Sequence, residues 1–371
     1  MDDFYDFIVI GAGISACTFA SSLNKRSSNT SILLIEHGRR LGGRSTTRQS
    51  RLNSTLEFDH GLPSLSFSKN ISHDLFSLIS PLIKSKKLID ITSDLLFMNE
   101  YGEIDQLFTN KKIYRSFPFM INFCEEIIKQ SINPERINYL FQTLIKSIVR
   151  EKDLWEVTIN NQQLIRSKNL VLSSSLIAHP RCLEILNINS IPIRDAVEKG
   201  KDEIVDSVLT ITSRQEYIKR KNYILYVSNS GIVNNFNHQY LQICFSKAIR
   251  NDFNFERIIF QKQLDGSMII VLHCVNLISL FDIQIEIIIH SLCIVFIKHK
   301  NILDLFLHSK YIDKMSWRAS QPINNLVPKE FQWSAKSNIG FCGDWFDFNS
   351  YPGVESAMKS SIRLANLFSF T

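Results

Sequence analysis

The sequence predicts a two-domain α/β fold, and three observations carry that prediction. A buried strand, a glycine turn and a helix follow one another over residues 6–35. Nine of the 13 glycines fall before residue 62 or after residue 339. From Ile204 onward the chain runs in short alternating stretches rich in β-branched and aromatic residues. Where glycine is this scarce, its clustering marks places where backbone approaches a ligand or takes positive φ. The architecture implied is a Rossmann-type dinucleotide-binding domain built from both ends of the chain, with a second α+β domain carrying a mainly antiparallel sheet.

Taken in order, residues 6–10 read as an apolar strand, 11–16 as a tight turn, 17–23 as helix and 31–35 as a second buried strand. Residues 71–88 read as helix, with Ser72 as N-cap and Leu75, Leu78, Ile79 and Leu82 on one face. Strands are expected at 137–150, 155–159 and 169–173, the last a continuous apolar run of the kind a parallel sheet buries. Residues 208–212, 223–227, 240–245 and 268–274 are expected to form the antiparallel sheet. These elements divide the chain into a cofactor domain (1–68, 136–198 and 313–371) and a substrate domain (69–135 and 199–312), with the substrate cleft between them.

With 371 residues, 44% hydrophobic and 21% charged, the chain is long enough for two cores and too apolar to be disordered. The net charge of +6 is spread out, its densest cluster being Lys84, Lys86 and Lys87, so nucleic acid is not the expected partner. Seven well-separated cysteines without a C-x-x-C pair fit a reducing, cytoplasmic compartment. The acidic N-terminus, with Asp2, Asp3 and Asp6, is unlike a signal peptide. Residues 277–297 are apolar over a membrane-spanning length, but Asp282, Glu286 and His290 interrupt them at helical spacing. They are expected to be a core helix with one polar stripe rather than a membrane span or a metal site.

The chemistry resides in the glycine turns. Gly11-Ala12-Gly13-Ile14-Ser15-Ala16 is a dinucleotide fingerprint, in which Gly11 permits the turn and Gly13 lets N–H groups reach a pyrophosphate at the helix start. Glu36 ends the second strand where a carboxylate receives two ribose hydroxyls and repels a 2′-phosphate, which disfavours NADP. Gly38-Arg39-Arg40-Leu41-Gly42-Gly43-Arg44-Ser45-Thr46 adds a second turn that a plain NAD domain has no reason to carry. Gly43 lets backbone pass a longer cofactor, and Arg40 or Arg44 can neutralise its diphosphate, which points to FAD.

With these motifs the chain resembles the FAD-dependent amine oxidase superfamily, and within it the renalase-like oxidoreductases. The resemblance extends to Phe58-Asp59-His60-Gly61, Pro118-Phe119-Met120-Ile121-Asn122, Trp317-Arg318-Ala319 and Cys342-Gly343-Asp344-Trp345. It covers both ends of the chain well and the middle poorly. It implies that Gly343 and Asp344 lie by the FAD ribityl and phosphates. It further implies that Gly353, Val354, Glu355 and Ala357 open a helix facing the flavin, that Asp59, His60 and Gly61 lie beneath the ring, and that Ile145 meets the adenine. A positive helix end there stabilises charge on a reduced flavin. Two segments depart from the family: residues 62–67 after Gly61, at the flavin surface, and residues 173–177, where relatives carry an apolar strand and a proline turn.

No Ser, His and Asp fall in a hydrolase pattern. His60, His179 and His273 are the histidines considered for proton transfer, Trp317, Trp345 and Tyr351 the aromatics considered for a pocket wall. His60 and Trp317 are the catalytic candidates. The expected reaction is hydride transfer from a small reduced substrate, a dihydronicotinamide or an amine, to flavin N5, with oxygen as reoxidant. Two rivals stand beside it: an FAD-dependent desaturase or isomerase of a lipophilic substrate, and a flavin-fold protein that binds without turnover.

Overall fold

A computed structural model describes residues 4–50, 56–160, 162–275, 284–348 and 351–368. The first strand, Phe4–Ile10, lies parallel to Ile32–Ile35 on one side and to Leu164–Leu172 on the other; Ile137–Leu140 extends the sheet beyond Ile32–Ile35. The strand Leu164–Leu172 has a divided outer edge. Its first half pairs antiparallel with Leu154–Ile159, and its second half pairs parallel with Ile339–Phe341 from the far end of the chain.

Strand alternation places two cores on this sheet. Phe7, Val9, Ile32 and Leu34 face the helices Ile14–Arg26, Asn122–Lys129 and Val354–Asn366. Ile8, Ile10, Leu33 and Ile35 face Trp155, Leu172, Ile193 and the helix Glu203–Thr212. The first and last helices pack directly on each other.

A second, seven-stranded sheet runs in the order Lys310–Pro322, Tyr217–Val227, Met268–Val275, Phe255–Lys262, Tyr240–Phe245, Leu95–Met98, Ile104–Gln106; all pairings are antiparallel except that of Tyr240–Phe245 with Leu95–Met98. One face buries Leu225, Ile258, Ile270 and Leu272 beneath the helices Ile285–Val295 and Lys300–Leu307. The other face carries Ile224, Ile259 and Val271 and turns toward Phe58. The strand Lys310–Pro322 runs through residue 313, where a domain boundary was expected, and pairs within this sheet.

Four local expectations change. Residues 208–212 are helix, not strand: the Asp202 carboxylate accepts from the Ile204 and Val205 N–H groups, and Val205, Val208, Leu209 and Thr212 line one buried helical face, although three of the four are β-branched. The first helix begins at Ile14, so the turn is shorter than the fingerprint. Residues 137–150 form two strands, Ile137–Leu140 and Ile145–Glu151. Within 277–297 the described helix is Ile285–Val295; Glu286 and His290 are exposed, but so are Ile287 and Ile294, so it covers the sheet from outside instead of lying in a core, and Asp282 is outside the described residues. Among the described residues no helix is long and apolar enough to cross a membrane, and no His, Cys, Asp and Glu group is placed to hold a metal.

Candidate active site

The two glycine turns meet. Gly13 and Gly42 form an isolated parallel bridge, and the Gly42 N–H donates to the Ala12 carbonyl at 2.8 Å. A Cβ on Gly43 would stand 3.2 Å from Gly13 Cα, closer than ordinary contact, so the second turn has little room for a side chain at the crossing. Gly11 takes φ +105°, and a Cβ there would lie 2.4 Å from the Ser173 hydroxyl. Ser173, in the segment that departs from the family, donates that hydroxyl to the Ile10 carbonyl.

The helix that follows Gly13 has no side-chain cap. The N–H groups of its first turn, Ile14, Ser15 and Ala16, therefore present the positive end of a buried helix at the turns, as an anion site requires. Glu36 stands at the adjacent strand end. Its two carboxylate oxygens accept one backbone N–H each, from Ala12 at 2.9 Å and Gly38 at 2.7 Å, leaving a lone pair on each for a diol. Ile145 begins its strand two residues after Thr143, whose N–H donates to the Glu36 carbonyl. These residues fit the adenosine and diphosphate half of a dinucleotide.

The arginines have protein partners. Arg40 pairs with Glu57 on the surface at 3.2 Å. Arg44 donates two hydrogen bonds to Asp344, 2.8 and 2.6 Å long, and a third to the Ser320 carbonyl. Gly343 has φ +146° and a Cβ there would clash with the Trp345 indole, which is why this position is glycine.

Asp59 is almost wholly buried. Its carboxylate accepts from Thr47 Oγ1, the Met120 N–H and Arg115, while its backbone exchanges two hydrogen bonds with Gln261 of the second sheet. The side chain is thus a strut between layers, with the 118–122 segment bound to it. His60 stacks on Trp317 with ring centroids 5.6 Å apart and 19° between planes. Gly61 sits beneath Trp317 against the Arg44 carbonyl, which accepts from the Leu62 N–H; the Pro63 carbonyl accepts from Tyr240 Oη. The altered 62–67 segment is therefore pinned on both sides. The C-terminal helix opens at Val354 without a side-chain cap on Gly353; Glu355 turns back to accept from the Ser68 N–H and Oγ, and Ala357 bonds to the Gly353 carbonyl.

Around Gly61 three buried polar atoms have no hydrogen-bond partner: His60 Nδ1, Trp317 Nε1 and Asn222 Oδ1. Asn222 is joined to the same place, since its amide donates to the His60 carbonyl. Orphaned groups clustered in this way fit a polar ring system resting there. Burial first, and then the Arg48 charge, push the His60 pKa down to about 4, so its imidazole is neutral near pH 7. His273, also buried and beside Arg257, is pushed down to about 3. His179 is structural: its Nδ1 accepts from the Arg181 N–H, so Nε2 is the donor to the Gln215 carbonyl. Of the aromatics, Trp345 is buried in the sheet core and Tyr351 is exposed, which leaves Trp317 by the site. A cavity of about 420 Å³ lined by Thr92, Gln106 and Phe108 lies at the edge of the second sheet and not between the layers.

Residues 9–80 match the NAD(P)-binding Rossmann-like domain family. No curated protein matches the chain by sequence. Solved structures match it over nearly its whole length at low identity. A CLA-producing fatty acid isomerase from P. acnes superposes with a TM-score of 0.64 at 11% identity, covering 99% of each chain. A protein assigned as a protoporphyrinogen oxidase from Exiguobacterium sp. gives 0.63 at 10%, covering 100% of this chain and 99% of that one. A putrescine oxidase redesigned in its cofactor binding gives 0.62 at 10%, covering 98% of both. The fold is the one these proteins share. Sequence reasoning missed Arg220, Asn222, Glu256 and Arg257, which reach the site from the second sheet, and Arg115, which comes from the strand Lys111–Ser116 of a separate small sheet; the signal available was a charged pair, Glu256-Arg257, inside an apolar strand.

Proposed function

We propose that the chain is an FAD-dependent oxidoreductase of renalase-like type that takes a hydride from a small reduced substrate. The observation that carries this is the crossing of the Gly11–Gly13 and Gly42–Gly43 turns at an uncapped helix start, with Asp344 brought to Arg44 from the other end of the chain. FAD bound along this line supplies a hydride acceptor that oxygen can reoxidise.

The protein's own part is positional. Glu36 holds the ribose diol, the first turn of the Ile14–Arg26 helix and Arg44 balance the diphosphate, and Asp344 receives the ribityl hydroxyls. His60, neutral and stacked on Trp317, can share its free Nδ1 with a polar ring edge without adding charge. Both histidines of the site are neutral, weakly basic imidazoles near pH 7, and the part proposed for these residues is to orient a donor C–H and exclude water.

The test is an absorbance spectrum of the purified protein before and after anaerobic addition of reduced nicotinamides and simple amines. Flavin bands that bleach with one donor and return in air support the proposal. A protein that cannot be reconstituted with FAD refutes it, and one that binds FAD but never bleaches is a binding module.

A further inference from the structure

The second sheet turns an unusual row of polar side chains toward His60 and Trp317. In register across neighbouring strands stand Trp317 beside Arg220, Asn222 beside His273, and His273 beside Arg257. A bulge between Phe255 and Arg257 leaves Glu256 without a partner residue opposite it. This lets two consecutive residues, Glu256 and Arg257, reach the same cluster, which regular alternation forbids.

Charge on this face does not balance. Arg48 is paired with Asp313 and Arg115 with Asp59. Arg220 and Arg257 share the one carboxylate of Glu256, at 2.6–2.7 Å and 2.9 Å. Among the described residues that leaves one guanidinium charge in excess in a largely buried setting, a costly arrangement unless an anion completes it. Arg257 is the incomplete member: its Nε is buried with no partner, yet 24% of its side chain remains accessible. The neighbouring His273 stays neutral and cannot supply compensation or further charge. The cluster is wired to the cofactor turns, because Arg220 donates to Ser320 Oγ and Arg44 donates to the Ser320 carbonyl.

We infer that Arg257, supported by Arg220 and Glu256, is an anion subsite that receives a carboxylate of the substrate. A guanidinium whose Nε still lacks an acceptor can take a carboxylate oxygen. This names the substrate class of the oxidoreductase proposed above as small carboxylates and rests on that reading for the word substrate, but the binding site stands on the charge count and geometry alone.

The test is calorimetric titration of benzoate, benzamide and inorganic phosphate into the purified protein, with and without added FAD. Benzoate is expected to bind and benzamide and phosphate to bind at least about tenfold more weakly, the equivalent of one charge-assisted contact. Arg257→Gln leaves Arg220 and Glu256 balanced and is expected to lose benzoate by about tenfold or more, whereas Glu256→Gln adds a second unpaired cation and should tighten it. Equal binding of benzoate and benzamide to the wild-type protein, a preference for phosphate, no benzoate binding, or benzoate binding unchanged in Arg257→Gln would each overturn the subsite. Benzoate binding without any flavin binding would overturn the oxidoreductase reading while leaving the anion site in place.

Discussion

Arg44 and Asp344, 300 residues apart in sequence, face each other through two parallel hydrogen bonds of 2.8 and 2.6 Å. The Arg44 side chain is 42% accessible, so the pair is worth little as a strut, on the order of 1 kcal/mol or less. On the proposed reading the pair places a carboxylate and a cation side by side where a cofactor's hydroxyls and diphosphate would divide them. Asp344→Ala is therefore expected to weaken FAD by about tenfold or more, the worth of a lost charge-assisted contact, while the melting temperature moves by only a few degrees. Flavin fluorescence titration and a thermal melt measure the two separately; a large melting shift with unchanged FAD affinity would make the pair structural.

Glu36 offers a second test of the same groove. Glu36→Ala removes the acceptor for the Ala12 and Gly38 N–H groups and for a ribose diol. The expected result is a loss of FAD affinity together with a stability cost of roughly 1–3 kcal/mol from unpaired backbone donors. Glu36→Gln retains one acceptor oxygen and should fall between the two. Urea unfolding and flavin titration on the three proteins check the order.

Asp59 should behave differently from either. Removing a buried carboxylate that holds Arg115, Thr47 and the Met120 N–H strands a cation, and Asp59→Ala is expected to cost about 3–5 kcal/mol. The double variant Asp59→Ala with Arg115→Met should recover part of that loss. A single-variant cost below about 1 kcal/mol in urea unfolding would contradict the strut assignment.

Acid should loosen the fold through the site histidines. An unfolded imidazole protonates near 6.5, whereas His60 and His273 remain neutral in the fold down to about 4 and about 3. As pH falls from about 6.5 toward those values the unfolded chain binds the extra protons, and stability drops by roughly 1.4 kcal/mol per pH unit for each histidine. Denaturation midpoints at about pH 7, 6 and 5 should fall accordingly. His273→Gln should show a shallower slope, and an unchanged slope would remove His273 from this account.

What was legible in the sequence is what local spacing encodes. The strand before Gly11, the turn, the helix and Glu36 are specified within a few residues of one another, as is the Ser72 cap, whose Oγ accepts from the Leu75 N–H. The helix Glu203–Thr212 was hidden because Val208-Leu209-Thr210-Ile211-Thr212 has strand-like composition, and its fate is decided by Asp202 and by packing on the first sheet. The row from Trp317 to Arg257 was invisible for a stronger reason. It exists only once four strands are in register and one of them has bulged, relations that no one-dimensional pattern states.

The divided edge of Leu164–Leu172 sets an order on biosynthesis. Its outer half waits for Ile339–Phe341, and the strand that fills it leads directly into Gly343 and Asp344. A nascent chain that has already built its first glycine turns therefore lacks this neighbour of the Leu164–Leu172 edge until Ile339–Asp344 have left the ribosome. On the proposed reading, a ribosome-stalled chain ending before Ile339 is expected to emerge without flavin.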